Sequence, residues 1–159
     1  MGSLAEELGS FLRAKGMTIA TAESCTGGKV GDMITSVPGS SDYFVGGIVS
    51  YSNDVKVGML EVDAGVLRSD GAVSEAVARQ MAKGVRHKLG ADVGVSTTGI
   101  AGPGGGSPAK PVGLVFVAAS SRDSIICRRH QFAGARDDIK RSSAEAAISL
   151  AIELLADAQ

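Results

Sequence analysis

The sequence of 159 residues lacks the features that mark several common protein classes. It has two cysteines and two histidines, so neither a disulfide framework nor a Cys/His metal cluster is expected, and we predict no structural metal. Its 16 basic and 17 acidic residues give a net charge of -1 without a basic patch, which argues against nucleic acid or an anionic membrane as a partner. No apolar run approaches the roughly 18 residues of a membrane span. The amino-terminal segment has the pattern of an amphipathic helix and not of a signal peptide, so we expect a cytoplasmic protein.

What the sequence does contain is enough apolar residues for one core. The hydrophobic fraction is 44% and is spread evenly along the chain, which is typical of a globular protein. The length is close to the roughly 100–150 residues most common for one domain. We therefore predict a single domain over residues 1–159 that holds the whole site.

Apolar periodicity predicts helices and strands that alternate early in the chain, with a hairpin near its end. Helices are predicted over 3–15 and 30–37, from Asn53 as a cap, from Ser74 to Gly90, and after 136–138. Strands are predicted over 17–22, 43–52, 92–99, 112–120 and 124–132. This order indicates an α/β fold, a three-layer α/β/α sandwich around a mixed, mostly parallel sheet.

Two polar, glycine-rich segments, TAESCTGG (21–28) and TTGIAGPGGG (97–106), begin where predicted strands end. Ligands of such sheets bind beyond the carboxyl ends of the strands, so the two segments are expected to form two walls of one small-molecule site. Neither is a dinucleotide fingerprint or a P-loop, because prolines follow the second segment and Val30 follows Lys29 in the first. At the predicted helix start, the backbone N–H groups of Thr26, Gly27 and Gly28 would suit a phosphate or a carboxylate.

The residues alone leave the nucleophile open between Cys25, Ser24 and the two serines of PGSS, Ser40 and Ser41. A catalytic cysteine needs a histidine as its base. Both histidines lie in charged segments typical of a protein surface. We therefore interpret Cys25 as a packing or contact residue.

With no suitable histidine, lysine is the remaining candidate for the base, because Ser-Lys pairs are a known variant of this arrangement. The lysine must be neutral when it acts, so burial has to lower its pKa from the usual value of about 10.4. Lys56 lies near a predicted strand end, beside Tyr51. A solvated lysine on a helix surface is the alternative interpretation of the same pattern.

Five segments together resemble the CinA C-terminal domain family over about residues 5–155. They are TAESCTGG, VPGSS-x-Y-F, GGIVSYSN-x-x-K, GAVSE and TGIAGPGGGS-x-x-KPVGLV. Five motifs in order are far more specific than one glycine loop. Stand-alone members of this family resemble nicotinamide mononucleotide deamidases of the PncC type. The resemblance implies hydrolysis of the nicotinamide carboxamide to nicotinate mononucleotide and ammonia, within pyridine-nucleotide recycling.

The family's catalytic serine, lysine and threonine map onto Ser41, Lys56 and Thr98, with Ser40 as the neighbouring possibility for the serine and Ser24 as the alternative in the first loop. The resemblance also implies substrate contacts from Tyr51, from Arg136 as the partner of the 5′-phosphate, and from the two loops. The loop residues expected at the site are Ser24, Cys25, Thr26, Gly27, Gly28, Gly99, Ala101 and Gly102.

The implied chemistry needs no cofactor. Neutral Lys56 takes the proton of Ser41, the alkoxide attacks the amide carbon, and backbone N–H groups of a glycine loop stabilise the oxyanion. The alternative is a non-catalytic nucleotide-binding or regulatory module, linked to competence or DNA damage, that acts through protein partners. An intact catalytic set favours the enzyme, because a binding module needs no base. We also expect a homo-oligomer, a dimer or higher, since a site near the rim of so small a domain could borrow residues from a second copy.

Overall fold

The structure, a computed structural model, describes residues 2–157; residues 1, 158 and 159 of the predicted domain lie outside the described part. The described residues form alternating helices and strands around one sheet. The strands are β1 (Ile19–Glu23), β2 (Phe44–Val49), β3 (Val93–Gly99), β4 (Leu114–Ser120) and β5 (Ile125–Gln131). The helices are α1 (Leu4–Lys15), α2 (Lys29–Thr35), α3 (Asn53–Leu60), α4 (Ala64–Asp70), α5 (Glu75–Lys88) and α6 (Arg136–Asp157).

The five strands form one sheet in the order β2-β1-β3-β4-β5. β1 runs parallel to both of its neighbours, whereas β4 runs antiparallel to β3 and to β5. The sheet is therefore mixed, as predicted. Four of the five described strands, β1, β2, β3 and β5, run in the same direction and β4 alone runs opposite, which confirms the mostly parallel sheet.

Helices cover both faces of the sheet, which confirms the three-layer arrangement. On one face α1, α2 and α6 pack against the strands through buried apolar side chains such as Leu12, Ile34 and Ile148. On the other face α3, α4 and α5 form a second apolar cluster that includes Leu60, Leu67 and Met81. None of the helices in the described residues combines the length and apolar character that a membrane crossing requires.

Local sequence signals explain where most helices begin. The Ser74 side chain accepts a hydrogen bond from the Val77 N–H and caps α5, as predicted. At α3 the cap is Ser52 and not Asn53, because the Ser52 backbone is extended and its hydroxyl accepts from the Val55 N–H at 3.2 Å. The short helix α4 was not predicted, because its seven residues carry too little apolar periodicity to stand out.

The topology places both glycine-rich segments at one rim of the sheet. β1 and β3 are adjacent and parallel, and Glu23 at the end of β1 pairs with Thr97 near the end of β3. The segments that follow these strands therefore leave the sheet side by side. The predicted two-walled site lies at the carboxyl ends of β1 and β3.

Candidate active site

A pocket of about 240 Å³ opens at this rim, between the two glycine-rich segments, α3 and the start of α6. It brings together most of the residues predicted for the site. Its lining consists of Ser24, Cys25, Tyr51, Asn53, Lys56, Ala72, Val73, Thr98, Gly99, Ala101 and Arg136. A larger depression of about 430 Å³ between α3 and α5 has no hydroxyl or thiol side chain in its lining, so it offers no serine, threonine or cysteine nucleophile.

Lys56 points into the fold from the first turn of α3. Its residue surface is only 1% exposed. The amine nitrogen lies 2.7 Å from the carbonyl oxygen of Ser50 and 3.1 Å from that of Tyr51. It also lies 3.0 Å from the hydroxyl oxygen of Ser24. Two backbone carbonyls and one serine hydroxyl thus surround the amine, without a carboxylate among its hydrogen-bond partners.

This environment suits a neutral lysine. Burial lowers the pKa of Lys56 from its ordinary value of 10.5, while the nearby Cys25 acts weakly in the opposite direction. A neutral amine has two N–H bonds and one lone pair. The two carbonyls accept the two N–H bonds, which leaves the lone pair directed to the hydroxyl of Ser24. The arrangement can therefore remove the proton from Ser24.

Cys25 and Thr98 line the pocket beside this pair. Burial raises the pKa of the Cys25 thiol to about 11, so the thiol stays protonated near neutral pH and is a poor nucleophile. This agrees with its interpretation as a packing or contact residue. Thr98 is 1% exposed, and its hydroxyl donates to the carbonyl oxygen of Ala72 at 2.8 Å. Its oxygen retains lone pairs that can accept a proton from a reacting group.

Tyr51 and Arg136 form the outer part of the pocket. Tyr51 is 63% exposed, and its phenol oxygen lies 3.4 Å from a guanidinium nitrogen of Arg136. Another nitrogen of Arg136 donates to the carbonyl oxygen of Gly102 at 2.6 Å. Gly102 therefore supports Arg136 from beside the pocket and does not line it. The guanidinium keeps further N–H donors for an anionic group.

A buried carboxylate organises the first glycine-rich segment. Glu23 is 2% exposed and accepts hydrogen bonds from the backbone N–H groups of Gly28, Val30 and Gly31 at 3.2, 2.8 and 3.0 Å. The hydroxyl of Thr26 also donates to it, at 2.5 Å. The protein's own carboxylate thus fills the amino terminus of α2, where the helix dipole and free N–H groups favour an anion.

This finding corrects the expectation for Thr26, Gly27 and Gly28. The hydroxyl of Thr26 and the N–H of Gly28 bond to Glu23, and the Gly27 N–H donates to the carbonyl oxygen of Ser24 at 3.1 Å. None of these three residues lines the pocket. Sequence reasoning missed Glu23, although a glutamate directly before a predicted helix start was the signal that could have revealed an internal cap.

The structure also separates Ser41 from Lys56 within one chain. Ser40 and Ser41 lie in a short 3₁₀ turn, Ser40–Asp42, that precedes β2 and is tied to α1 by an ion pair between Asp42 and Arg13 at 2.8 Å. Lys56 follows the opposite end of β2. At about 3.3 Å per residue, a six-residue strand separates the two by roughly 20 Å. The expected Ser41–Lys56 pair is therefore not formed in this chain, and Ser24 occupies the position beside the amine.

Ala72 and Val73 are further pocket residues that sequence reasoning did not single out. They belong to the segment GAVSE, whose motif had been noted without a role. The described residues contain no group of three or more His, Cys, Asp or Glu side chains placed to hold a metal ion. His87 is exposed and His130 lies on β5, and neither lines this pocket.

Comparisons with known proteins agree on one family. The sequence profile of the CinA C-terminal domain matches residues 1–155. A CinA-like protein of Salinibacter ruber (strain DSM 13855 / M31) is 55% identical over 141 residues, which cover 89% of this chain and 34% of that protein. The chain spans about a third of the length of the curated relatives it matches.

Solved structures show the same fold. The competence/damage inducible protein CihA from Agrobacterium tumefaciens superposes with a TM-score of 0.93 at 38% identity, over 95% of this chain and 93% of that chain. The competence damage-inducible protein A (ComA) from Klebsiella pneumoniae gives a TM-score of 0.94 at 33% identity, over 98% and 97% of the two chains. The likeness extends over the whole sandwich and includes the rim that carries the pocket.

Proposed function

This chain belongs to the CinA C-terminal domain family, and on that basis we propose that it hydrolyses the carboxamide of nicotinamide mononucleotide to nicotinate mononucleotide and ammonia. The observation that carries the proposal is the buried Lys56 amine, 3.0 Å from the Ser24 hydroxyl and bonded otherwise to two backbone carbonyls. A lysine that only stabilised the fold would gain from a carboxylate partner. A lysine that faces a serine hydroxyl in a pocket is the arrangement of a base and its nucleophile.

In the first half of the reaction, neutral Lys56 takes the proton of Ser24 while the serine oxygen attacks the carboxamide carbon. The resulting tetrahedral intermediate carries negative charge on the former carbonyl oxygen, which backbone N–H groups of the glycine loop at Gly99–Ala101 would stabilise. The carbon–nitrogen bond then breaks. The proton on Lys56 passes to the leaving nitrogen through the hydroxyl of Thr98, and ammonia departs from an ester on Ser24.

In the second half, water hydrolyses the ester. Lys56, neutral again, takes a proton from the water as its oxygen attacks the ester carbon. The proton returns to the Ser24 oxygen as the acyl bond breaks, which releases the nicotinate product and restores the starting state. Every proton transfer uses groups of the pocket, so the cycle balances with water alone and calls for no cofactor.

The outer pocket supports a nucleotide as the substrate. Tyr51 presents an exposed aromatic ring and Arg136 a guanidinium at the mouth, whereas Ser24, Lys56 and Thr98 lie deeper. A pyridine nucleotide bound with its carboxamide inward would place its sugar-phosphate toward Arg136. The forked donors of arginine suit a phosphate better than a lysine amine does.

The names of the solved neighbours favour a second candidate function. Both are called competence or damage inducible, which describes a response and not a reaction. A module that binds a nucleotide and acts through a protein partner would need the mouth of the pocket but not a lysine–serine pair. The enzyme therefore requires Lys56 whereas the binding module does not, and both candidates require Arg136 to bind the nucleotide.

The test incubates the purified protein with nicotinamide mononucleotide and measures ammonia and nicotinate mononucleotide, with binding measured separately by calorimetry. Equal amounts of both products, lost in Lys56→Met, would support the enzyme. Binding of the nucleotide without either product would reject the enzyme in favour of the module.

The expected homo-oligomer stays a proposal, supported by the exposed apolar side chains of Val45 and Val49 on the edge strand β2.

A further inference from the structure

The phosphate of the proposed substrate needs positively charged or N–H groups near the pocket. The backbone N–H groups at the start of α2 are the expected anion site of such a fold, but the Glu23 carboxylate already accepts from three of them. A phosphate placed there would meet a buried negative charge. The binding groups must therefore lie elsewhere around the mouth of the pocket.

Two positively charged side chains lie on one side of α6, near the mouth of the pocket. Arg136 is the first residue of the helix and lines the pocket. Lys140 follows it by four residues, a spacing that puts the two side chains on the same helical face with Cβ atoms about 5–6 Å apart. Lys140 is half-buried, and its side chain has no hydrogen-bond or ion-pair partner among residues 2–157. Its ammonium group is therefore available to a ligand.

The position of Lys140 links it to the first wall of the pocket. A Cβ atom at Gly27 would lie 3.8 Å from the Lys140 amine nitrogen, so this amine is held directly over the turn that follows Ser24 and Cys25. Gly27 is exposed and has a backbone φ of +61°, a conformation that favours glycine and leaves the space above the turn free of a side chain. Gly27 and Lys140 thus lie on either side of an open space next to the pocket that Arg136 lines.

The acidic neighbours do not neutralise this pair. Asp138, on the same first turn of α6, accepts from the N–H of Ala135 and thereby caps the helix. Asp137 is exposed, and no ion pair joins it to a described residue. Asp137 precedes Lys140 by three residues and so lies near it on the helix surface, yet the two side chains form no ion pair.

We propose that Lys140 and Arg136 together bind the phosphate of the substrate over Gly27, so that the site selects a pyridine nucleotide over its nucleoside. This inference rests on the proposed function for the identity of the substrate. Arg136 supplies directed donors, and Lys140 adds a second positive charge one helical turn away. The nucleoside lacks the phosphate and gains nothing from either cation.

The test compares wild type with Lys140→Ala and, as a matched control, Lys83→Ala, an exposed lysine on α5 in the opposite layer. Calorimetry measures binding of nicotinamide mononucleotide and of inorganic phosphate, and steady-state kinetics compare the nucleotide with nicotinamide riboside. We expect Lys140→Ala to weaken nucleotide binding and raise its KM about 10-fold or more, since charged contacts to phosphate are strong. The kcat for the nucleotide and the kinetics with the riboside should stay unchanged, and Lys140→Arg should restore affinity.

Equal affinity of wild type and Lys140→Ala for the nucleotide would overturn the phosphate site. So would an equal loss for the nucleotide and the riboside, because a general disturbance of the loop would affect both. The binding measurement does not depend on turnover. If wild type binds the nucleotide through Lys140 but releases no ammonia, the proposed reaction fails while the phosphate site stands.

Discussion

The amine nitrogen of Lys56 lies 3.0 Å from the hydroxyl oxygen of Ser24, although 32 residues separate them in the chain. The contact exists because β2 runs parallel to β1, so that α3, which follows β2, returns to the rim where the loop after β1 begins. This contact is the origin of the reactivity proposed for the pocket.

Removal of the base should abolish turnover without abolishing binding. Lys56→Met keeps an unbranched apolar stem in the buried position but removes the amine, so we expect kcat to fall about 10²- to 10⁴-fold, the usual contribution of a general base. Ammonia release gives the rate, and calorimetry gives the affinity for nicotinamide mononucleotide. Exposed Lys83→Met is the control. Full activity in Lys56→Met would show that the lysine is not the base.

The pH dependence of activity should follow the titration of Lys56. Burial lowers the pKa of this amine below 10.5, and only the neutral form takes a proton from Ser24. We therefore expect kcat/KM to rise with pH through a midpoint below 10.5 and to reach a plateau above that midpoint. A rate that does not change with pH below 10.5 would argue against a titrating lysine.

Stability should rise over the same window. Between the lowered pKa and 10.5 the unfolded chain keeps the lysine proton that the folded chain has lost, so unfolding takes up a proton and becomes less favourable as pH increases. Below the lowered pKa both states are protonated, and the folded state bears the full free-energy cost of a buried charged amine. Urea titrations at several pH values measure this, and Lys56→Met should remove the part of the slope due to the lysine.

Cys25 should be dispensable for turnover. Burial raises the pKa of its thiol to about 11, so little thiolate exists near neutral pH. We expect Cys25→Ala to retain activity within a few-fold and iodoacetamide at pH 7.5 to leave turnover intact. Intact mass spectrometry measures the extent of alkylation alongside ammonia release. Inactivation in step with labelling of Cys25, with protection by the nucleotide, would make the thiol a catalytic candidate again.

Glu23 should contribute to the stability of the fold. Glu23→Gln keeps the shape but replaces one acceptor oxygen by an NH₂ group, which faces backbone N–H groups that then lack a partner. A loss of roughly 1–3 kcal/mol in the free energy of unfolding is expected from such unsatisfied buried groups. Urea denaturation measures it, with exposed Asp32→Asn in α2 as the control. An unchanged stability would mean that the carboxylate does not hold the loop.

Local patterns were sufficient to predict much of the fold. The i,i+4 apolar stripe and Ser74 predicted α5, and β-branched runs predicted all five described strands. Helix α4 was not predicted because its seven residues are too few to show an apolar period, and its Asp63 cap was the only local signal. The strand order β2-β1-β3-β4-β5 depends on how distant strands meet, which local periodicity does not encode.

The site was predictable only in part for the same reason. Motifs marked Lys56, Thr98 and the two loops, and the strand order then placed them at one rim. Which serine meets the lysine depends on the direction of β2, because Ser41 precedes this strand and Lys56 follows it. Glu23 likewise acts through backbone groups that fold back onto it from up to eight residues later.

The measurement that tests the central claim most directly is ammonia release from nicotinamide mononucleotide by wild type, Ser24→Ala and Ser41→Ala under identical conditions, with folding of each variant checked by circular dichroism. We predict turnover by wild type and Ser41→Ala, and loss of turnover with retained nucleotide binding in Ser24→Ala. Activity in Ser24→Ala together with its loss in Ser41→Ala would contradict the assignment of Ser24 as the nucleophile beside Lys56.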